Sequence, residues 1–422
     1  MMGAAARSEW QGLQQQGLEA FAKNDFPAAR AAFQALAAHS GAEAYAFQGL
    51  GDVALRAGEF DDAVEMYMRS ALKKPGYFRP WLGMGRTCAA AGRRADAINF
   101  LRMAALLAPE NRDVSRLLAQ QLLSAQDLPG LVAVAAPMHE AGDADPWVSA
   151  ALVNAVSRLG DKARAANVSW DMCDRLGWPE ARKKGYRFET QAWFLNNLEV
   201  FERFVAPLKD KRDARVMEVG CFEGMSACWT LDHALNKHRA QLVCIDPEFQ
   251  PTFRANIKAS GQSKRVDIIE APSQEAMLRY ALESFDLIYV DGLHTASQVL
   301  SDALMAWLLV KPGGCIVFDD YWKGDDSGVG QLTRYGVDVF LASHRGGYSE
   351  EHRGRQIVVS KTGEAADWRM RAAAVLRGLG YEPDLMNGDD TAAAVAASRA
   401  LLADRAKPWS AAGMRAALLA VS

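Results

Sequence analysis

Apolar positions along this chain follow two rhythms. From about residue 10 to 111 they keep helical spacing, and small residues return at an offset of 34. Gly17, Gly51 and Gly85 share one phase, Ala29, Ala63 and Ala97 another, and Phe26 and Phe60 a third. The same offset pairs Gly58 with Gly92, Phe47 with Trp81 and Pro75 with Pro109. Small residues at fixed phases let antiparallel helices approach closely, large ones fill the groove between pairs, and proline closes each unit. Beyond 111 the pattern weakens, but Gly160 and Ala165 keep the phase, which carries the repeats to about 179. The spacing thus predicts an all-α repeat domain over 1–180.

From 186 the rhythm changes. A helical stretch, FETQAWFLNNLEVFERFVAPLKD, leads into RVMEVG, QLVCID, RVDIIEA, FDLIYVD and GCIVFDD, each a short apolar run followed by a loop and a helical pattern. Such alternation predicts a parallel sheet covered on both faces. YGVDVFLASH and RQIVVSK then predict a further helix and a closing antiparallel strand. This α/β domain spans 186–361, and an Ala-rich helical extension, whose purpose the pattern does not disclose, spans 362–422.

Composition narrows the class. A chain of 422 residues is too long for one ordinary domain. No apolar run reaches the length of a membrane helix, and MMGAAARSEW lacks the apolar core of a signal peptide, so the expected location is the cytoplasm, with no membrane partner. A net charge of −3 gives no general attraction to nucleic acid. The six cysteines form no CxxC pair and read as reduced, buried thiols.

In doubly wound sheets, ligands bind beyond the carboxyl ends of the strands. The first run ends as VMEVGCFEGMS, with Glu218, Gly220, Gly224 and Ser226. Gly220 permits a tight turn, and Gly224 lets the next helix start close to a ligand. Phe222 stands where the dinucleotide fingerprint needs glycine, which disfavours a nicotinamide dehydrogenase. The second run ends in Asp246, a carboxylate able to accept from a ribose diol. Ser273 and Gln274 follow the third and suit an adenine edge, and LIYVDGLH places Asp291 and His294 after the fourth.

Acids ending the first, second and fourth strands, with the EVGxxxG loop, resemble the class I S-adenosylmethionine-dependent methyltransferases, a Rossmann-like fold with a seven-stranded sheet. The 34-residue repeat resembles the tetratricopeptide repeat. VDGLHTASQVLSDALMAWLLVKPGGCIVFDDY is similar to the metal-dependent O-methyltransferases that include the catechol and macrolide-sugar enzymes, the latter closer. The resemblance implies S-adenosylmethionine held by Glu218, Gly220, Gly224, Ser226, Asp246, Ser273, Gln274 and Asp291. It implies Mg²⁺ on Asp291, Asp319 and Asp320, with His294 as general base. Mg²⁺ prefers oxygen ligands and takes few carboxylates from a protein, leaving positions for a substrate diol.

Plainer readings stand beside these. Asp319 and Asp320 also suit a helix cap and a solvated acid, and His294 a surface histidine. Tyr321 and Trp322 suit a pocket wall or the core, and WKGDDSGVG has the composition of a mobile loop, with a minor ligand role for Asp325. Of the remaining histidines, His233 and His238 flank a surface helix end, while His344 and His352 fall in a polar loop. The expected activity is O-methyl transfer to a hydroxyl of a small molecule or sugar, the repeats holding a protein partner or a second subunit. The rivals are methylation of a protein docked on the repeats and a non-catalytic scaffold.

Overall fold

The computed structural model describes residues 4–142, 145–237, 239–321, 329–363, 365, 367–403, 409, 411–419 and 421. Trp322 and Asp325 lie outside them. The chain divides into two compact units, residues 1–168 and 169–422.

In the first unit, helices run in successive pairs: Ala4–Ala22 with Phe26–Ala37, Glu43–Ala57 with Phe60–Lys73, Phe78–Ala90 with Arg94–Leu107, and Arg112–Ser124 with Leu128–Glu140. Pro146–Arg158 follows, and the helix Lys162–Arg175 spans the division at 168. The repeated glycines have a common purpose. A Cβ on Gly17 or Gly49 would lie 2.6 or 2.5 Å from the ring of Phe33, and one on Gly51 or Gly83 2.6 or 2.5 Å from Tyr67. At Gly85 it would lie 2.6 Å from Leu101. Phe33, Tyr67 and Leu101 are themselves one repeat apart, so each is a knob seated in a hole that only glycine leaves open. Ala29, Ala63 and Ala97 are fully buried at the same interfaces. This is a tetratricopeptide-like solenoid.

The second unit carries a seven-stranded sheet: β1 Arg215–Val219, β2 Gln241–Asp246, β3 Val266–Glu270, β4 Phe285–Val290, β5 Val310–Phe318, β6 Tyr348–Arg353 and β7 Ile357–Lys361. Their order is β3-β2-β1-β4-β5-β7-β6, with β7 antiparallel to both its neighbours and the first five parallel. The order reverses between β1 and β4, which makes the crevice beyond their carboxyl ends the expected ligand site. Register sets what meets there. Val219 pairs with Val290, and Val290 with Phe318, so the loops after β1, β4 and β5 leave the sheet at one level.

The helix Ala296–Leu309 is buried along its whole length. Helices Val329–Ser343 and Asp390–Ala403 pack against it, Ser301 and Ser398 sharing a hydroxyl hydrogen bond of 2.6 Å. Trp368–Gly378 and Ala411–Leu419 join the same apolar core, so the Ala-rich extension forms an outer layer over one face of the sheet. His344 corrects an expectation: it is not in a polar loop but fully buried, stacked between Phe340 and Trp368. His352 lies within β6. No helix among the described residues is long and apolar enough to cross a membrane.

Candidate active site

The loop after β1 is shaped by what it touches. Gly220 has φ +86°, and a Cβ there would fall 2.1 Å from the backbone oxygen of Asp291. Here glycine is required by a close approach between the β1 and β4 loops as much as by the turn. Gly224 has φ +80°, opens the helix Met225–His233, and would drive a Cβ to 2.8 Å from the Phe253 ring. Asp246, at the end of β2, receives the N–H groups of Cys221 (2.9 Å) and Phe222 (3.3 Å) on one oxygen and that of Glu248 (3.0 Å) on the other. A carboxylate has about four acceptor positions, so this half-buried acid, fixed by three bonds, retains capacity for a diol.

The other predicted cofactor residues fall less openly. Glu218 and Ser226 come together, the hydroxyl donating to the carboxyl, but both are buried. Burial pushes the Glu218 carboxyl up to about 8 against the pull of Ser226, with Asp291 and Asp246 adding to the rise. Ser273 donates to Asp302 at 2.5 Å and receives Gln298 at 3.1 Å, a buried internal network. Gln274 lies beside it.

Asp291, His294 and Asp320 converge. His294 Nε2 lies 3.4 Å from Asp291 Oδ1 and 3.3 Å from Asp320 Oδ2, and one ligand atom from each of the three falls within 4.8 Å of the others. Asp320 adopts φ +53°, a left-handed turn that aspartate tolerates better than most residues, immediately after Asp319. Arg355 faces its other oxygen at 3.7 Å. A divalent cation such as Mg²⁺ takes few carboxylates from a protein, so Asp291 and Asp320 suit one, with His294 beside them. Desolvation raises the Asp291 carboxyl, His294 opposes and Asp320 reinforces the rise.

Asp319 stands behind this group. Its carboxylate receives the Asn197 amide at 3.1 and 3.0 Å and the Tyr289 hydroxyl at 2.7 Å. Burial, then Asp291 and Asp320, push it up to about 8. Tyr289 also lies 3.0 Å from Asp291 Oδ2. Sequence reasoning missed both partners. Strand alternation puts Tyr289 on the face of Asp291, two positions on, and was a usable signal; Asn197 offered none. Tyr321, buried and bonded to Asp338 at 2.7 Å, belongs to the core. A second group, Glu218, Cys221 and Cys244, lies wholly in the interior, where burial raises both thiols and disfavours thiolate ligands.

The strand order and the strand-end acids together define a class I methyltransferase sheet. In agreement, residues 217–321 match a family model described as a methyltransferase domain. Catechol O-methyltransferase of Mycobacterium tuberculosis is 27% identical over 112 residues, 26% of this chain and 49% of that protein. A solved O-methyltransferase from Bacillus cereus in complex with SAH is 15% identical over 45% of this chain and 90% of its own, with a TM-score of 0.33. The crystal structure of MamA protein is 14% identical, covering 41% of this chain and 94% of that one, with a TM-score of 0.35. The chain spans about half the length of the curated relatives it matches.

Proposed function

We propose that this chain is an S-adenosylmethionine-dependent O-methyltransferase assisted by a divalent cation such as Mg²⁺, acting on a hydroxyl of a small molecule or sugar. The observation that carries the reading is the convergence of Asp291, His294 and Asp320 beyond β4 and β5, beside the Gly220 loop. In this reading Asp246 would receive the ribose diol, and Asp291 and Asp320, with Asp319 behind them, would hold the cation. When bound, the cation would make the acceptor hydroxyl more acidic, and the sulfonium would supply the methyl group. His294 would take the hydroxyl proton as the O–C bond forms and the S–C bond breaks.

A second reading gains support from the repeats. A groove of about 770 Å³ is lined by Arg102, Leu106, Pro109, Leu118, Val134 and Met138, and Leu72 and Leu106, one repeat apart, are largely exposed. Such a surface suits a protein partner, either a docked substrate or a second copy of the chain.

Calorimetric titration of S-adenosylmethionine, with and without Mg²⁺, tests the main reading. Micromolar binding abolished in Asp246→Ala, with a Mg²⁺ contribution removed in Asp291→Ala, is expected. A wild-type chain that takes up no cofactor overturns it.

A further inference from the structure

Asn197 lies 122 residues before Asp319 and outside the residues matched by the methyltransferase family model. It closes the 3₁₀ turn Trp193–Asn197, and the chain passes through a short α segment, Leu198–Val200, into the π turn Phe201–Val205. Aromatic packing fixes this irregular segment against the sheet. Phe201 meets the Tyr289 ring edge-on at 5.0 Å and Phe194 at 4.7 Å, and also contacts Trp229 at 5.6 Å. Its result is a buried amide delivered to both oxygens of Asp319.

Tyr289 does something different. Its single hydroxyl lies 2.7 Å from Asp319 Oδ2 and 3.0 Å from Asp291 Oδ2, so it links the acid after β5 to the acid after β4. A phenol carries one proton and can donate to one carboxylate at a time, but its oxygen fixes the spacing of both. Carboxylates that hold a cation are oriented by such outer partners.

We infer that Asn197 and Tyr289 are positioning residues of the cation site, Asn197 fixing the Asp319 carboxylate behind it and Tyr289 linking that carboxylate to Asp291, and that the segment before the sheet is therefore part of the active site. This rests on the cation reading above. The duller alternative is that both side chains only satisfy a buried carboxylate, and the two differ in what they do to ion affinity.

The test uses the full chain and Mn²⁺, whose free aqueous spin-resonance signal falls as it binds. Asn197→Ala and Tyr289→Phe should each weaken Mn²⁺ binding by about 10–100-fold, with S-adenosylmethionine affinity held within about twofold. Tyr67→Phe removes a comparable phenol–carboxylate bond, 2.7 Å to Asp52 in the repeats, and should leave Mn²⁺ affinity unchanged. Circular dichroism at the titration temperature establishes that each variant is folded. Should one fail to fold, Asn197→Leu and Tyr289→Met, which also remove the donor, replace it. Folded variants that bind Mn²⁺ as tightly as the wild type overturn the inference and leave the cation reading intact. A wild-type chain that takes up no Mn²⁺ overturns both.

Discussion

Glu218→Gln should stabilise the second unit, by an amount set by pH. In the native protein the Glu218 carboxyl, 2% exposed, stays protonated up to about 8, while in the unfolded chain it ionises above its ordinary 4.5. Ionisation therefore favours the unfolded chain throughout that window, and stability falls as pH rises through it. Each pH unit costs about 1.4 kcal/mol, so the handicap reaches roughly 3 kcal/mol at pH 7 and levels off above about 8. Glutamine keeps an oxygen to accept from Ser226 and an N–H in place of the acid proton, but it cannot ionise. The variant should thus match the wild type near pH 4.5 and lead by about 3 kcal/mol at pH 7, or roughly 6–12 °C in melting temperature for a unit of this size. Thermal and urea unfolding at pH 5, 6, 7 and 8 measures it. Asp319 is raised in the same direction, but it is common to both proteins and cancels in the difference. A gap between the two proteins that does not widen with pH refutes the reasoning.

Two further outcomes follow from groups described above. His344 is held down to about 3 by burial against an ordinary 6.5, so stability is full above 6.5 and falls at lower pH; at pH 5 the loss is about 2 kcal/mol. His344→Phe should remove that acid-side loss, which denaturation at pH 5 and 7 checks, and an unchanged pH dependence would sink the claim. Gly220→Ala forces a side chain into a left-handed turn at about 1–2 kcal/mol and against the Asp291 backbone besides. Its melting temperature should drop, and binding of Mn²⁺ and of S-adenosylmethionine should weaken together; loss of one without the other would contradict the shared contact.

Much of this was legible because it is local. Strand alternation, the acids after each run and the 34-residue phase are written in short stretches, and the sheet and the helix pairs follow from them. What was hidden depends on distant chain. Ser273 follows β3 as a cofactor contact should, yet Asp302 on a helix further along takes its hydroxyl. His344 follows an apolar helix among polar neighbours, but Trp368 in the extension covers it. Asn197 acquires a role only once a strand end 122 residues away is brought to it. The extension itself reads as a featureless Ala-rich stretch because Asp390–Ala403, packed against Ala296–Leu309, buries small residues such as Ala393, Ala394 and Ala397, and small side chains carry no chemical signal.

The repeat unit keeps its own order. Phe33, Tyr67 and Leu101 occupy the same position in successive pairs, but they differ in volume, and only one of them is polar. Tyr67 meets Asp52, whose counterparts one repeat before and after are Leu18 and Arg86. Transplanting only the second helix of a pair into its neighbour's place would set a phenol against leucine or leave a carboxylate facing a phenyl ring. The two helices of a pair are thus matched to each other rather than interchangeable. Unequal crossing-over that falls between the two helices of a pair would yield misfit arrays, whereas a junction between pairs keeps each phenol with its carboxylate.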